Sequence, residues 1–275
     1  MIIWIASYPK SGNTWVRSFL SSYIYNNNKT FDFSDLEKIR AFPSDPEINF
    51  LKKKYGEYKF IHMASNWNTF QKNIIKKNKY TFLKTHNALI NVKNFSFTNL
   101  DNSMGLIYII RDPRDVVISY SSHLNLNLKD TTNYMTNVNL VEKTPDNLDR
   151  TLITSWSNHY NSWKYFPLKK LIIKYEDLID KPQDTFLKIV KYLNQIINLD
   201  INNELIKKTI EKVNFEKLKY LESNNGFHEN KSLKKNHKFF NEGKKDQWKI
   251  KLPKELQDII IKSFKDVMIE NNYLL

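Results

Sequence analysis

Three short segments carry side chains able to do chemistry on an anion. The first, Ser7-Tyr8-Pro9-Lys10-Ser11-Gly12-Asn13-Thr14-Trp15, ends an apolar run at 2–6 and opens an amphipathic stretch. A strand that turns tightly into a helix aims backbone N–H groups and the positive helix end at one spot, which favours an anion. Lys10 adds a point charge there, and the Ser11 and Thr14 hydroxyls add donors. A nucleotide-hydrolase P-loop uses several glycines and closes on Gly-Lys-Ser/Thr; here a single glycine follows the lysine, so that pattern is not met. Taken alone, the segment also fits an ordinary strand-to-helix turn.

The second segment, Ile107-Tyr108-Ile109-Ile110-Arg111-Asp112-Pro113, delivers Arg111 at the end of an apolar run, where ligands of open α/β sheets sit. A helix starting at Pro113 carries Ser119 about 12 Å further along. Arginine can fork two phosphate oxygens and serine can donate one more bond. The competing reading is structural: Arg111 pairs with Asp112 or Asp115 and caps the helix. In the third segment, Lys84-Thr85-His86 follows another apolar run. A histidine with the ordinary pKa of about 6.5 can act as a base near neutrality, but at a strand's edge it also fits a plain surface role.

Apolar, β-branched runs at 2–6, 80–83, 106–110 and 171–173 are short and nearly continuous, the pattern of buried parallel strands. Helical periodicity occupies 15–25, 113–123, 148–165, 182–193, 204–212 and 253–268, with prolines at several first turns. Strands alternating with helices predict right-handed crossovers and an α/β fold: a central parallel sheet of about four to five strands flanked by helices. Residues 126–147 and 221–240 are polar, Asn-rich segments that read as long loops of the lid or surface type. With no repeat and no Gly/Ser linker, 1–275 reads as one domain.

Composition narrows the function classes. The 275 residues contain no cysteine, which excludes disulfides and thiolate metal sites and fits a reducing compartment. No run reaches eighteen apolar residues and the N-terminal stretch has no basic lead-in, so the expectation is a cytoplasmic protein without a membrane span. A formal charge of +14 suits an anionic partner, yet much of it lies in Lys/Asn-rich stretches that read as solvated surface. Neither an arginine-rich tract nor a helix-turn-helix pattern argues for base readout, and no nucleic-acid partner is expected.

The order of these motifs resembles the cytosolic-type sulfotransferases, which have a P-loop NTPase-like fold. Residues 8–15 resemble that family's 5'-phosphosulfate loop, departing only at Asn13, where the family has threonine. Residues 107–123 resemble its 3'-phosphate motif, and Lys84-Thr85-His86 its catalytic element. Residues 171–178 resemble the strand ending in Tyr-Glu-Asp, and 213–219 the segment that supplies an aromatic to the base. Residues 239–249 align with the family's Phe-Met-Arg-Lys-Gly loop, but its Arg-Lys pair is Asn241-Glu242 here.

The resemblance implies a donor, 3'-phosphoadenosine-5'-phosphosulfate (PAPS), with the product PAP and no metal. It implies His86 as general base, Lys10 at the leaving phosphate oxygen, Lys84 at the sulfonate, and Ser119 with Arg111 at the 3'-phosphate. Ser11, Gly12, Asn13 and Thr14 would cradle the phosphosulfate. Trp15 and Phe215 would grip adenine, and Tyr175 would border it. Asn241, Glu242, Gly243 and Lys244 would close over the 3'-phosphate; the lost cation should weaken binding unless Lys244 and Lys245 compensate. His62, His123, His159, His228 and His237 lack comparable context and read as structural or lid residues.

The acceptor would be a small molecule, glycan or lipid bearing a hydroxyl or amine. Its pocket would form from 31–70, 126–147 and 221–238, with Trp67, Phe70, Tyr134 and Phe227 as aromatic walls. A non-catalytic nucleotide-binding protein of the same fold is the first alternative, a P-loop kinase the second. The sequence is silent on oligomeric state.

Overall fold

A computed structural model of the protein describes residues 1–26, 29–75, 79–143, 149–227, 229 and 238–274. His228 and His237, Lys76 and Lys77, and much of the expected lid lie outside the described residues. The strands are β1 (Ile2–Ser7), β2 (Thr81–Thr85), β3 (Asn91–Val92), β4 (Phe95–Ser96), β5 (Ser103–Ile110), β6 (Val141–Lys143), β7 (Asp149–Leu152) and β8 (Lys170–Lys174). The helices are α1 (Asn13–Tyr25), α2 (Asp45–Tyr55), α3 (Phe60–Ile75), α4 (Pro113–Leu124), α5 (Leu128–Thr136), α6 (Trp156–Lys164), α7 (Tyr175–Asp180), α8 (Pro182–Ile197), α9 (Asn203–Lys212), α10 (Phe215–Asn225), α11 (Trp248–Lys251) and α12 (Lys254–Glu270).

Four of these strands form a wholly parallel sheet in the order β2-β1-β5-β8. Strand alternation sends Trp4, Ala6, Leu106 and Tyr108 to one face, where Trp67 of α3, Val117 and Tyr120 of α4, Trp163 of α6 and Phe264 of α12 cover them. Ile3, Ile5, Ile107 and Ile109 point the other way, under Phe19 and Leu20 of α1 and Phe186 and Ile189 of α8. A sheet buried on both faces needs apolar residues at every strand position, which is why the four runs read as continuous rather than alternating.

Register brings the strand ends together. Ala6 lies opposite Thr85 on one side, and Ser7 lies opposite Ile109 on the other. The turn after β1, His86 after β2 and Arg111 after β5 therefore emerge at one edge of the sheet, on both sides of the strand where the chain order reverses. That crevice is where open α/β sheets bind ligands.

Three sequence expectations need correction. Residues 149–152 form a strand rather than the start of a helix at 148, because β7 pairs with β6 and the backbone around Leu152 bonds to Asn87 and Ala88. Thr154 then turns with φ 60° and Ser155 caps α6 by accepting from the Asn158 N–H. The polar segment after Leu126 is partly helical, with α5 capped by Asn127. Trp67, Phe70 and Phe227 are buried in the core instead of facing a pocket.

Candidate functional site

The turn after β1 is shaped by backbone conformation. Lys10 has φ 64° and Gly12 φ 97°, both left-handed, so the chain reverses within a few residues and α1 starts at Asn13. A side chain at residue 12 would place its Cβ 2.6 Å from the Tyr175 ring, so only glycine lets that ring lie against the turn. Asn13 braces the turn from behind: its Nδ2 donates to the Ile5 carbonyl at 3.1 Å and to Ser7 Oγ at 3.2 Å.

Arg111 is 5% exposed and reaches the same turn from β5. It donates to the Lys10 carbonyl and, across the cleft, to the Lys244 carbonyl, each at 3.0 Å. Its guanidinium carbon lies 4.2 Å from the centre of the Tyr175 ring. Asp112 caps α4 without pairing with Arg111. Asp112 pairs with Arg114 and accepts the Arg114 N–H, while Asp115 accepts the N–H groups of Asp246 and Trp248.

Lys10, Arg111, Lys84 and His86 share one cavity of about 500 Å³. Every residue the sequence assigned to the site lines it except Ser11 and Lys244. Ser11 is buried beneath the turn, and Lys244 takes part through its backbone carbonyl. Trp15, Tyr175, Phe215 and Ser119 also line the cavity, and the Tyr175 ring marks the end at Arg111. The Phe215 ring lies against Gly243, where an added Cβ would meet it at 2.6 Å.

Burial sets the protonation of the lining. Desolvation, then the Arg111 charge, brings the Lys10 ammonium down to about 7, with Glu222 opposing. Its Nζ rests 3.8 Å from the centre of the Phe239 ring. Desolvation lowers Lys84 to about 8, an effect opposed by Glu229 and reinforced by Arg17. His86 is pushed well below its ordinary value, first by burial and then by Lys84, against the bond to Ser7. His86 Nδ1 lies 2.7 Å from the Ser7 carbonyl oxygen, which can only accept. Nδ1 therefore carries the proton, and Nε2 keeps its lone pair.

Several buried polar atoms at this end have no partner among the described residues: Ser11 Oγ, Trp15 Nε1 and Arg111 Nε. Two of these are N–H donors, and all lie around the turn. That donor set, with two cations beside it, fits a ligand rich in phosphate oxygens. Among the described residues no group of three or more His, Asp or Glu could hold a metal ion. No helix among them is long and apolar enough to cross a membrane.

In the substituted loop neither Lys244 nor Lys245 lines the cavity. Glu242 pairs with Lys251, so its charge is compensated from α11, and Lys245 pairs with Asp180 rather than facing the cavity. The far end of the cavity holds residues that sequence reasoning missed. Arg17 of α1 is fully buried and grips both carboxylate oxygens of Glu229 at 2.9 Å, while bonding the carbonyls of Leu36 and Ile39. An arginine between Val16 and Phe19 on an apolar helix face was the available clue. Residues 40–42 pair along the open edge of β2, through Phe42 N–H to the Lys84 carbonyl and Lys84 N–H to the Arg40 carbonyl, which brings Arg40 and Ser44 to the cavity wall. His159 touches the peptide of His86 and so belongs to the site's support rather than to remote structure.

Comparison with known proteins shows the family and the fold. The sulfotransferase domain family model matches residues 2–272. Sulfotransferase 1B1 of dog (Canis lupus familiaris) is 26% identical over 229 residues, covering 78% of this chain and 65% of its own. Sulfotransferase 1A1 of rat (Rattus norvegicus) is 27% identical over 78% of this chain and 66% of its own. The chain thus spans slightly less than two thirds of the length of these two relatives. Flavonol 3-sulfotransferase of Flaveria bidentis is 26% identical over 90% of this chain and 75% of its own. Among solved structures, retinol dehydratase in complex with androsterone and the inactive cofactor PAP is 21% identical, with a TM-score of 0.64 over 97% of this chain and 80% of that one. Mouse sulfotransferase SULT7A1 complexed with PAP is 16% identical, with a TM-score of 0.58 over 97% of this chain and 84% of that one.

Proposed function

The chain belongs to the sulfotransferase domain family, and from that premise we propose that it moves the sulfuryl group of PAPS to a hydroxyl or amine of a small-molecule acceptor. The observation that carries the proposal is the meeting of Lys10, Arg111, Lys84 and a Nδ1-protonated His86 in one cavity. The acceptor named for one relative, a flavonol, supports the small-molecule class. The likeness of the motifs to cytosolic-type enzymes supports a cytoplasmic setting, with 1–275 working as one catalytic domain.

In this reading the turn at 8–14 holds the 5'-phosphosulfate by backbone N–H groups and the start of α1. Arg111 and Ser119 take the 3'-phosphate, and Trp15, Tyr175 and Phe215 hold the adenine. Catalysis rests on alignment and charge stabilisation. The acceptor oxygen attacks sulfur while the bond from sulfur to the 5'-phosphate oxygen breaks. The acceptor's proton passes to His86 Nε2, and PAP leaves with the electron pair on its phosphate oxygen. Lys10 stabilises that oxygen and Lys84 the sulfonate. The low pKa of Lys10 suits this task, because an arriving dianion restores the charge where it is needed. The depressed pKa of His86 keeps its imidazole neutral and ready to accept a proton at pH 7.

Thermal shift with PAP, AMP and ATP tests the nucleotide half of the proposal. PAP at a hundredfold above its Kd should stabilise the protein by about 2.7 kcal/mol. Equal shifts from PAP and AMP would refute the 3'-phosphate assignment, and an ATP shift that requires magnesium would favour the kinase alternative.

A further inference from the structure

We propose that His159 is a positioning residue for the base: held by Tyr108, it fixes the His86 peptide and, with it, the orientation of the imidazole that takes the acceptor's proton. This rests on the reading of His86 as general base.

His159 is fully buried in α6 and outside the cavity lining. Its Nε2 lies 3.1 Å from the His86 carbonyl oxygen, and its Nδ1 lies 2.8 Å from the Tyr108 hydroxyl. The chemistry of the partners leaves a single arrangement of protons. A carbonyl only accepts, so Nε2 carries the hydrogen; Nδ1 is then an acceptor, and the Tyr108 O–H donates to it. Burial lowers the His159 pKa to about 3, so the ring stays neutral and this tautomer persists through the working pH range.

Three parts of the site converge on this one ring. Tyr108 belongs to β5, three residues before Arg111. His86 leaves β2. Tyr8 opens the turn after β1 and packs edge-on against His159, with ring centres 5.6 Å apart and planes at 83°. His86 is thus gripped twice, at its ring by the Ser7 carbonyl and at its peptide by His159. A base needs its lone pair aimed within a fraction of an ångström, and supporting hydrogen bonds are the usual means. An apolar residue at 159 would remove the donor to the His86 carbonyl and the acceptor of the Tyr108 O–H, which would keep only its bond from the Tyr8 backbone, whereas the amide of glutamine offers an N–H donor and a carbonyl acceptor to replace both nitrogens.

The experiment compares His159→Leu, His159→Gln and Tyr108→Phe with the wild type, each normalised to PAP-binding sites. His159→Leu should lower kcat by about 10- to 100-fold with PAP affinity within twofold of wild type, and His159→Gln should recover most of the loss. Tyr108→Phe, which keeps the ring and removes only the donor, should give a smaller fall in the same direction. The acid limb of the kcat/KM profile should move up in His159→Leu as a loosened His86 regains solvent. Imidazole nitrogen NMR gives a readout independent of turnover: His86 should be the Nδ1–H tautomer in the wild type and a mixture in His159→Leu. A kcat within twofold of wild type, an unchanged pH profile with unchanged tautomer, or a loss that glutamine does not rescue would each overturn the proposal. If His159→Leu does not fold, the glutamine and Tyr108→Phe variants decide by the same criteria. Should the wild type transfer no sulfuryl group, the tautomer measurement still tests the positioning while the functional reading fails.

Discussion

Nucleotide affinity should fall steeply between pH 7 and pH 8.5, and the cause is Lys10. Its ammonium is desolvated and faces Arg111, which brings it down to about 7, so half the empty sites hold a neutral lysine at pH 7 and nearly all do at pH 8.5. A phosphate beside it favours the charged form, and binding at the higher pH must then take up a proton. The empty state holds fewer protons than the complex, so raising the pH opposes binding. With the empty-site pKa at about 7 and the bound lysine charged throughout, the PAP Kd should rise roughly 16-fold over that interval, or about 1.6 kcal/mol. The phosphates themselves have second pKa values near 6 and contribute little there. Titration calorimetry at pH 8.5 in buffers of different ionisation enthalpy should count nearly one proton absorbed per PAP bound. Lys10→Met should weaken binding at pH 7 and flatten the dependence. A Kd that stays constant from pH 7 to 8.5 with no proton uptake would refute the assignment of Lys10 to the phosphate.

Three further outcomes are expected. His86→Ala should lower kcat by about 10²- to 10⁴-fold while PAP still binds, and near wild-type turnover would remove His86 as the base. Arg111→Ala should cut the preference for PAP over AMP by roughly 10- to 100-fold, the value of charge-assisted phosphate bonds, and an unchanged ratio would place the 3'-phosphate elsewhere. Asn13→Thr should lose the bonds to the Ile5 carbonyl and Ser7 Oγ and cost about 1–2 kcal/mol, read as a fall of the urea midpoint at constant m; a raised midpoint would mean that the buried Asn13 Oδ1, without a partner among the described residues, outweighs those bonds.

The strands were legible because burial on both faces makes a parallel strand continuous in sequence, and all four central runs are strands of one sheet. Most residues that line the cavity near Lys10 and Arg111 were legible because ordered motifs name them, yet their geometry was not. No pattern announces that Arg111 bonds the Lys10 carbonyl instead of Asp112, or that Lys251 compensates Glu242, since both partners are chosen by tertiary approach. The mistaken helix at 149–152 has the same origin: periodicity over a short window cannot see the pairing with 141–143. His159 was passed over because a buried histidine on a Trp/Tyr-rich helix resembles plain core until its two nitrogens are traced. Trp67, Phe70 and Phe227, expected to wall the acceptor pocket, proved to be core because aromatic content alone carries no direction; Arg17, Arg40 and Glu142 line the cavity instead.

The central claim, sulfuryl transfer from PAPS, is tested most directly by following the sulfur. PAPS carrying labelled sulfur is incubated with the protein and a panel of a phenol, a sterol, a sugar and a primary amine, alongside His86→Ala. The account predicts label in at least one acceptor, PAP formed in equal amount, and transfer lost in the variant. Label that stays on the nucleotide across acceptors of all four chemistries, while PAP binds selectively, would contradict it and leave a nucleotide-binding protein on a sulfotransferase fold.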